Sequence, residues 1–176
     1  DVISYNEIAK NAPLLNQESN IIIQNLAQRF LIPYIVGCIA NFFNIDSFLV
    51  FKLFTIALII FYLYLTNLFI KNLNLNLKVS ILFFSILFLN PYIIRYHIFN
   101  PAQAHDMLFF CIGLIFSITF INKNYFINLM VSIIAIYLRQ TSIALLIGSS
   151  ILLLINKKIK LFIILTVLFC LSIFLT

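Results

Sequence analysis

Downstream of Asp46 the sequence holds one carboxylate, Asp106, and it directly follows His105 in AQAHDMLFF. A carboxylate so placed can take the proton of an attacking hydroxyl, and the imidazole beside it can share in that transfer. The competing reading is structural. An acid in the first turn of a helix complements the positive end of the helix dipole, and Pro101 just upstream fits a helix start. Arg139, in YLRQTS between two short apolar runs, is the next candidate. A guanidinium keeps its charge, so it needs interfacial water or an anion. It can snorkel to the surface, or it can hold a phosphate. Arg95, with His97 in PYIIRYHIFN, is similar but nearer a loop, which suits an interface anchor. At the start of the chain Asp1, Tyr5 and Ala9 recur at helical spacing, with Glu7 and Lys10 on another side. That pattern predicts a short amphipathic surface helix.

Metal and redox chemistry find little material. Cys38, Cys111 and Cys170 are widely spaced, without a C-x-x-C or companion histidines, and read as small buried hydrophobes. No cofactor is evident, and a divalent metal stays open without support, because Asp106 with His105 supplies too few ligands to argue for one.

These groups sit in a chain that is 64% hydrophobic and 9% charged, with a mean hydropathy of +1.13. A soluble domain carries about 25% charge. Several apolar runs exclude a secreted protein with one cleavable signal, and their continuity excludes the alternating strands of an outer-membrane barrel. The fold class is therefore all-α, a polytopic bundle in the membrane, because lipid-exposed backbone must satisfy its own hydrogen bonds.

Residues 1–28 are the longest polar stretch, and RFLIPYIVGCIANFFN, residues 29–44, can span or lie flat at the interface. Crossings are predicted at 48–70, at 79–96 with a bend or stop at Asn90-Pro91, at 107–121, and at 161–176. Two shorter helices, 125–138 and 142–155, flank Arg139. Residues 1–47 thus form an outer-face loop with interfacial helices, and residues 48–176 a bundle of about six helices. The start at Asp1 and the end within an apolar run read as a piece of a longer chain. The many Asn and Ile residues read as compositional bias.

The lysines orient the chain. If 48–70 runs from outside to inside, then Lys71, Lys78, Lys123, Lys157, Lys158 and Lys160 all fall inside, which satisfies the positive-inside rule. The same assignment puts Asp1, Glu7, Glu18, Asp46 and Asp106 outside, with His97, His105, Arg29, Arg95 and Arg139. It requires that residues 29–44 do not cross. The net charge of +6 is spent on topology and implies no nucleic acid.

In this order the features resemble the outer-loop and early-span pattern of the GT-C superfamily of polytopic glycosyltransferases, which includes protein mannosyltransferases and the aminoarabinose transferases of lipid A. The D-x-x-x-Y-x-x-x-A of Asp1, Tyr5 and Ala9 is similar to that family's outer-loop helix. RFLIPYIVGCIANFF resembles its interfacial helix, and FLVFKLFTIALIIFYLYL, with Lys52, its next span. NPYIIRYHIFNPAQAHDMLFF resembles its R-x-x-x-x-D element with a longer gap, and IAIYLRQTSIALL its basic residue between two short helices.

The resemblance implies that Asp1 deprotonates the acceptor and that Asp106, beside His105, is a second acid of the cavity. It likewise implies that Arg95 and Arg139 face a lipid-linked phosphate. The family's first span would precede Asp1. The implied activity is transfer of a sugar from a polyprenyl-phosphate donor to an unknown acceptor on the outer face of a membrane, the bacterial inner membrane being the natural setting. The partners are the bilayer and that donor. The rivals are a non-enzymatic transporter or flippase component, and a surface-polysaccharide polymerase or ligase. Transporters place ionisable groups near the midplane and often carry repeats. Here the acids sit at one surface and no repeat is evident, which favours an enzyme.

Overall fold

The computed structural model describes residues 2–13, 31–138, 143–160, 162–164 and 166–167. Asp1, Arg29 and Arg139 lie outside the described residues, as does most of the apolar run 161–176. Among the described residues every regular element is helical.

The first helix, α1 (Val2–Asn11), follows from its pattern. Tyr5, Ile8, Ala9 and Ala12 fall on one buried stripe, while Glu7 and Lys10 are exposed. Helix α2 (Leu31–Phe43) is apolar all round. Ile32, Val36, Gly37 and Ala40 are buried against protein, whereas Ile35, Ile39, Phe42 and Phe43 are exposed. Its 13 residues are short of the roughly 20 a crossing needs. Helices α1 and α2 meet at Gly37, where a Cβ would overlap the Ala9 carbonyl oxygen and come within 2.7 Å of Ala12 Cβ.

Among the described residues, three helices are long and apolar enough to cross a membrane: Ser47–Asn72, Leu77–Phe99 and Pro101–Ile121. The first is α3 (Ser47–Asn72). The second is broken into α4 (Leu77–Leu89), a π-helical turn at Pro91–Arg95 and the single turn α5 (Tyr96–Phe99). The break has a local cause. Pro91 cannot donate to the ladder, and the Asn90 side chain accepts the freed Tyr92 amide at 3.0 Å, capping a new start. The third combines a 3-10 turn at Pro101–Gln103 with α6 (Ala104–Ile121). Then come α7 (Tyr125–Leu138) and α8 (Ile143–Ile155), both shorter than a crossing.

The core is the seam between α3 and α6. Phe51, Leu58, Ile59 and Tyr62 of α3 pack with Met107, Cys111 and Ile112 of α6 in one buried cluster. The Cys111 thiol donates to the Leu58 carbonyl at 3.6 Å, and the Thr55 hydroxyl to the Pro101 carbonyl at 3.1 Å. Among apolar surroundings such packing and hydrogen bonding hold helices together, because the hydrophobic drive is weak there. Helix α4 contributes no fully buried residue and touches this core only at its edge, through Leu87 and the Phe83 ring against Phe69.

Helices α6, α7 and α8 are tied by polar side chains. The Asn128 amide donates to the Phe116 carbonyl at 3.0 Å and to the Thr119 hydroxyl at 3.2 Å. Ser149 donates to Asn128 Oδ1 at 2.9 Å, and the Ser132 and Ser149 hydroxyls are 2.8 Å apart. The bonds also set direction. Early α3 pairs with the entry to α6, and the end of α6 pairs with the start of α7. In turn α7 runs antiparallel to α8. Lys71, Lys123, Lys157 and Lys158 therefore gather at one end of the helices, and Asp46 and Asp106 at the other.

The asparagines are not mere compositional bias. Asn44 and Asn74 end α2 and α3 in the left-handed region, each with φ 52°, a cost that Asn tolerates better than most residues. Lys123 and Lys157 do the same after α6 and α8. Three of these ends close with a bond spanning six residues: Ile45 N–H to Ala40 O, Asn124 to Thr119 O, and Lys158 to Leu153 O, each 2.9 Å. Asn76 caps α4 by accepting from the Val79 amide at 2.9 Å.

Candidate functional site

The site forms where the entry to α6 meets α1, α3 and α5. Ala102 and Ala104 have no exposed surface, and Tyr5 and Ile8 of α1 pack with Ala102. Small side chains let the backbones close in. Asp106 lies in the first turn of α6, as the sequence predicts, and is 20% exposed, so its carboxylate still reaches the outside. His105 beside it is 2% exposed, and its Nε2 lies 3.6 Å from Asp106 Oδ1. The Tyr5 ring of α1 meets the His105 ring edge-on, 4.8 Å between centroids. The amphipathic helix is thus a roof on the Asp106 entry.

Arg95 and His97 part company. Arg95 is exposed, its guanidinium 6.0 Å from the centre of the Phe99 ring, and it forms no ion pair among the described residues. His97 is 1% exposed and lies edge-on to Phe110 of α6 at 6.1 Å. Phe110 follows Asp106 by one turn, so His97 packs on the Asp106 face of α6, within electrostatic reach of that carboxylate. Sequence reading placed both near a loop and weighted the permanent charge. The missed signal was spacing. Residues two apart on a helix point about 200° apart, so only one of the pair can face α6.

The turn that carries His97 is braced. The Tyr96 hydroxyl donates to Gln103 Oε1, and the Asn100 amide N–H donates to the Tyr96 carbonyl at 2.9 Å. Gln103 stands at the N-cap position of α6 and gives no side-chain bond to that helix. Among the described residues, no group of three or more His, Cys, Asp or Glu side chains is arranged to hold a metal ion.

Of the sequence-predicted site residues, the structure brings Asp106 and His105 together, adds His97 and Tyr5, and turns Arg95 outward. Asp1 and Arg139 fall outside the described residues. A second recess of about 420 Å³, lined among others by Lys10, Asn41, Asn44 and Asp46, opens between α1 and the α2–α3 turn. The fold and site define an all-helical chain with a carboxylate and two buried histidines at one end of helices able to cross a membrane. No family model matches the chain, and neither a curated protein nor a solved structure does.

Proposed function

We propose that this chain is part of a multi-pass membrane glycosyltransferase of GT-C type, transferring a sugar from a polyprenyl-phosphate donor to an acceptor at the outer face. The bacterial inner membrane is the setting this reading implies. The observation that carries it is the Asp106 carboxylate. It is held in the first turn of α6 beside buried His105 and under the roof of α1, at the opposite end from Lys71 and Lys123. If the lysine end is cytoplasmic, as the positive-inside rule requires, Asp106 opens to the outside.

The step would run with inversion. The acceptor oxygen attacks the anomeric carbon, its proton passes to a carboxylate, assigned here to Asp106 rather than to the Asp1 that the resemblance implies, and the bond from that carbon to the phosphate oxygen breaks. The electron pair leaves with the phosphate, whose charge needs donors and cations around it. Arg139 is assigned to that phosphate by the resemblance alone. The apolar flanks of α3 and α4 offer the polyprenyl tail a lipid-like wall. A transporter is a poorer match to a site at one end of the helices, since the mid-helix hydroxyls of Ser132 and Ser149 bond to each other and Ser149 also to Asn128.

The test is transfer by the full-length protein with Asp106→Asn and with Arg139→Ala. Loss of the base should slow transfer by about a hundredfold or more. Normal transfer in both variants removes the proposed site.

A further inference from the structure

His97 carries a polar atom for which the fold provides nothing. Its Nδ1 is buried and has no hydrogen-bond partner, although the side chain is 1% exposed and the turn around it is braced at Tyr96, Asn100 and Gln103. Orphaning such an atom is costly, and a ligand that bonds to it recovers that loss. The atom lies beside the entry to α6, as the ring contact with Phe110 and the electrostatic reach to Asp106 show. The 3-10 turn at Pro101–Gln103 runs straight into α6, and the Gln103 and Ala104 amides already donate to the Asn100 and Pro101 carbonyls, so the helix entry offers the positive end of its dipole rather than free amides. With its proton on Nδ1 the imidazole is a donor, and beside the positive end of an 18-residue helix that tautomer favours a ligand group that only accepts. A phosphate oxyanion is such a group, and a neutral sugar hydroxyl is not.

We propose that His97 Nδ1 donates a hydrogen bond to a phosphate oxygen of the lipid-linked donor as that phosphate settles against the opening turn of α6. The inference rests on the donor class proposed above and adds the residue that reads its head group. It gives His97 the role that the resemblance implied for Arg95.

The experiment uses the full-length protein in phosphatidylcholine nanodiscs, titrated with a short-chain polyprenyl phosphate and, separately, with the matching polyprenol. Asn places its side-chain nitrogen near the position of Nδ1, whereas Gln reaches toward that of Nε2. His97→Phe keeps the bulk and removes both nitrogens. The expected result is a loss of polyprenyl-phosphate affinity of about tenfold to a hundredfold in His97→Phe, a similar loss in His97→Gln, and substantial recovery in His97→Asn. Polyprenol should bind all forms alike. Inorganic phosphate titrated alone should bind the wild type more tightly than His97→Phe, which locates the contact on the phosphate group itself; equal phosphate affinities overturn it. Unchanged affinity in His97→Phe overturns the His97 contact and leaves the donor class standing. Absence of any polyprenyl-phosphate binding by the wild type overturns the donor class, and this inference with it. Should His97→Phe fail to give a monodisperse protein, the Asn and Gln variants decide, and equal affinities for the two overturn the proposal.

Discussion

Arg95 and His97 show how far residue chemistry alone reaches. A guanidinium is a stronger functional signal than an imidazole, because its charge cannot be removed. Burial reverses the ranking, since His97 is inside and Arg95 lies over Phe99 in the open. Asp106 was legible because it is the sole acid after Asp46 and precedes a long apolar run. The contact between Tyr5 and His105 was not, because the two lie 100 positions apart in sequence and only the fold unites them. Arg95→Ala should therefore lower the transfer rate by less than about fivefold, the worth of an exposed cation–π contact. A steady-state assay on membranes checks this. A hundredfold loss would mean that the guanidinium swings from Phe99 to the substrate.

At the scale of elements the apolar runs predicted the helices well, because a crossing helix is read from length and hydropathy. The ends were less legible. The structure extends the expected crossings 48–70 and 107–121 to Ser47–Asn72 and Pro101–Ile121, since Asn, Lys and Pro complete turns that hydropathy alone excludes. Contacts between elements were hidden more deeply, and two substitutions probe them. Gly37→Ala puts a methyl into the Ala9 carbonyl. A clash of this kind typically costs about 1–3 kcal/mol, and lifting α1 would carry Tyr5 off His105. Proteolysis within α1 should then accelerate and transfer should fall, while the α3–α6 seam stays folded. Ser149→Ala leaves Asn128 Oδ1 without its donor between α7 and α8. The loss should be about 0.5–1.5 kcal/mol, seen as a lower melting temperature in detergent. Ser150→Ala is the control, because Ser150 only donates to the Leu146 carbonyl of its own helix.

The whole molecule is a question of sides. Hydrogen bonds fix which helix ends lie together, whereas lipid and charge decide which end faces the cytoplasm. The lysine end holds Lys71 and Lys123, and the far end holds Asp46 and the entry to α6. For the positive-inside rule to apply, α2 must lie along the surface, and its 13 residues are about 20 Å of helix against a hydrocarbon core of about 30 Å. With the three natural cysteines replaced, single cysteines at Asp46, Lys71 and Asn122 test the arrangement in intact cells. A membrane-impermeant maleimide should label the first from outside and the other two only after permeabilisation. Position 46 against 71 reads the crossing of α3. Position 71 against 122 reads the paired crossings that return the chain to the lysine side. Labelling of 46 and 71 from one compartment would mean that α3 does not cross. Asp106 would then lose the extracytoplasmic exposure on which a lipid-linked donor depends.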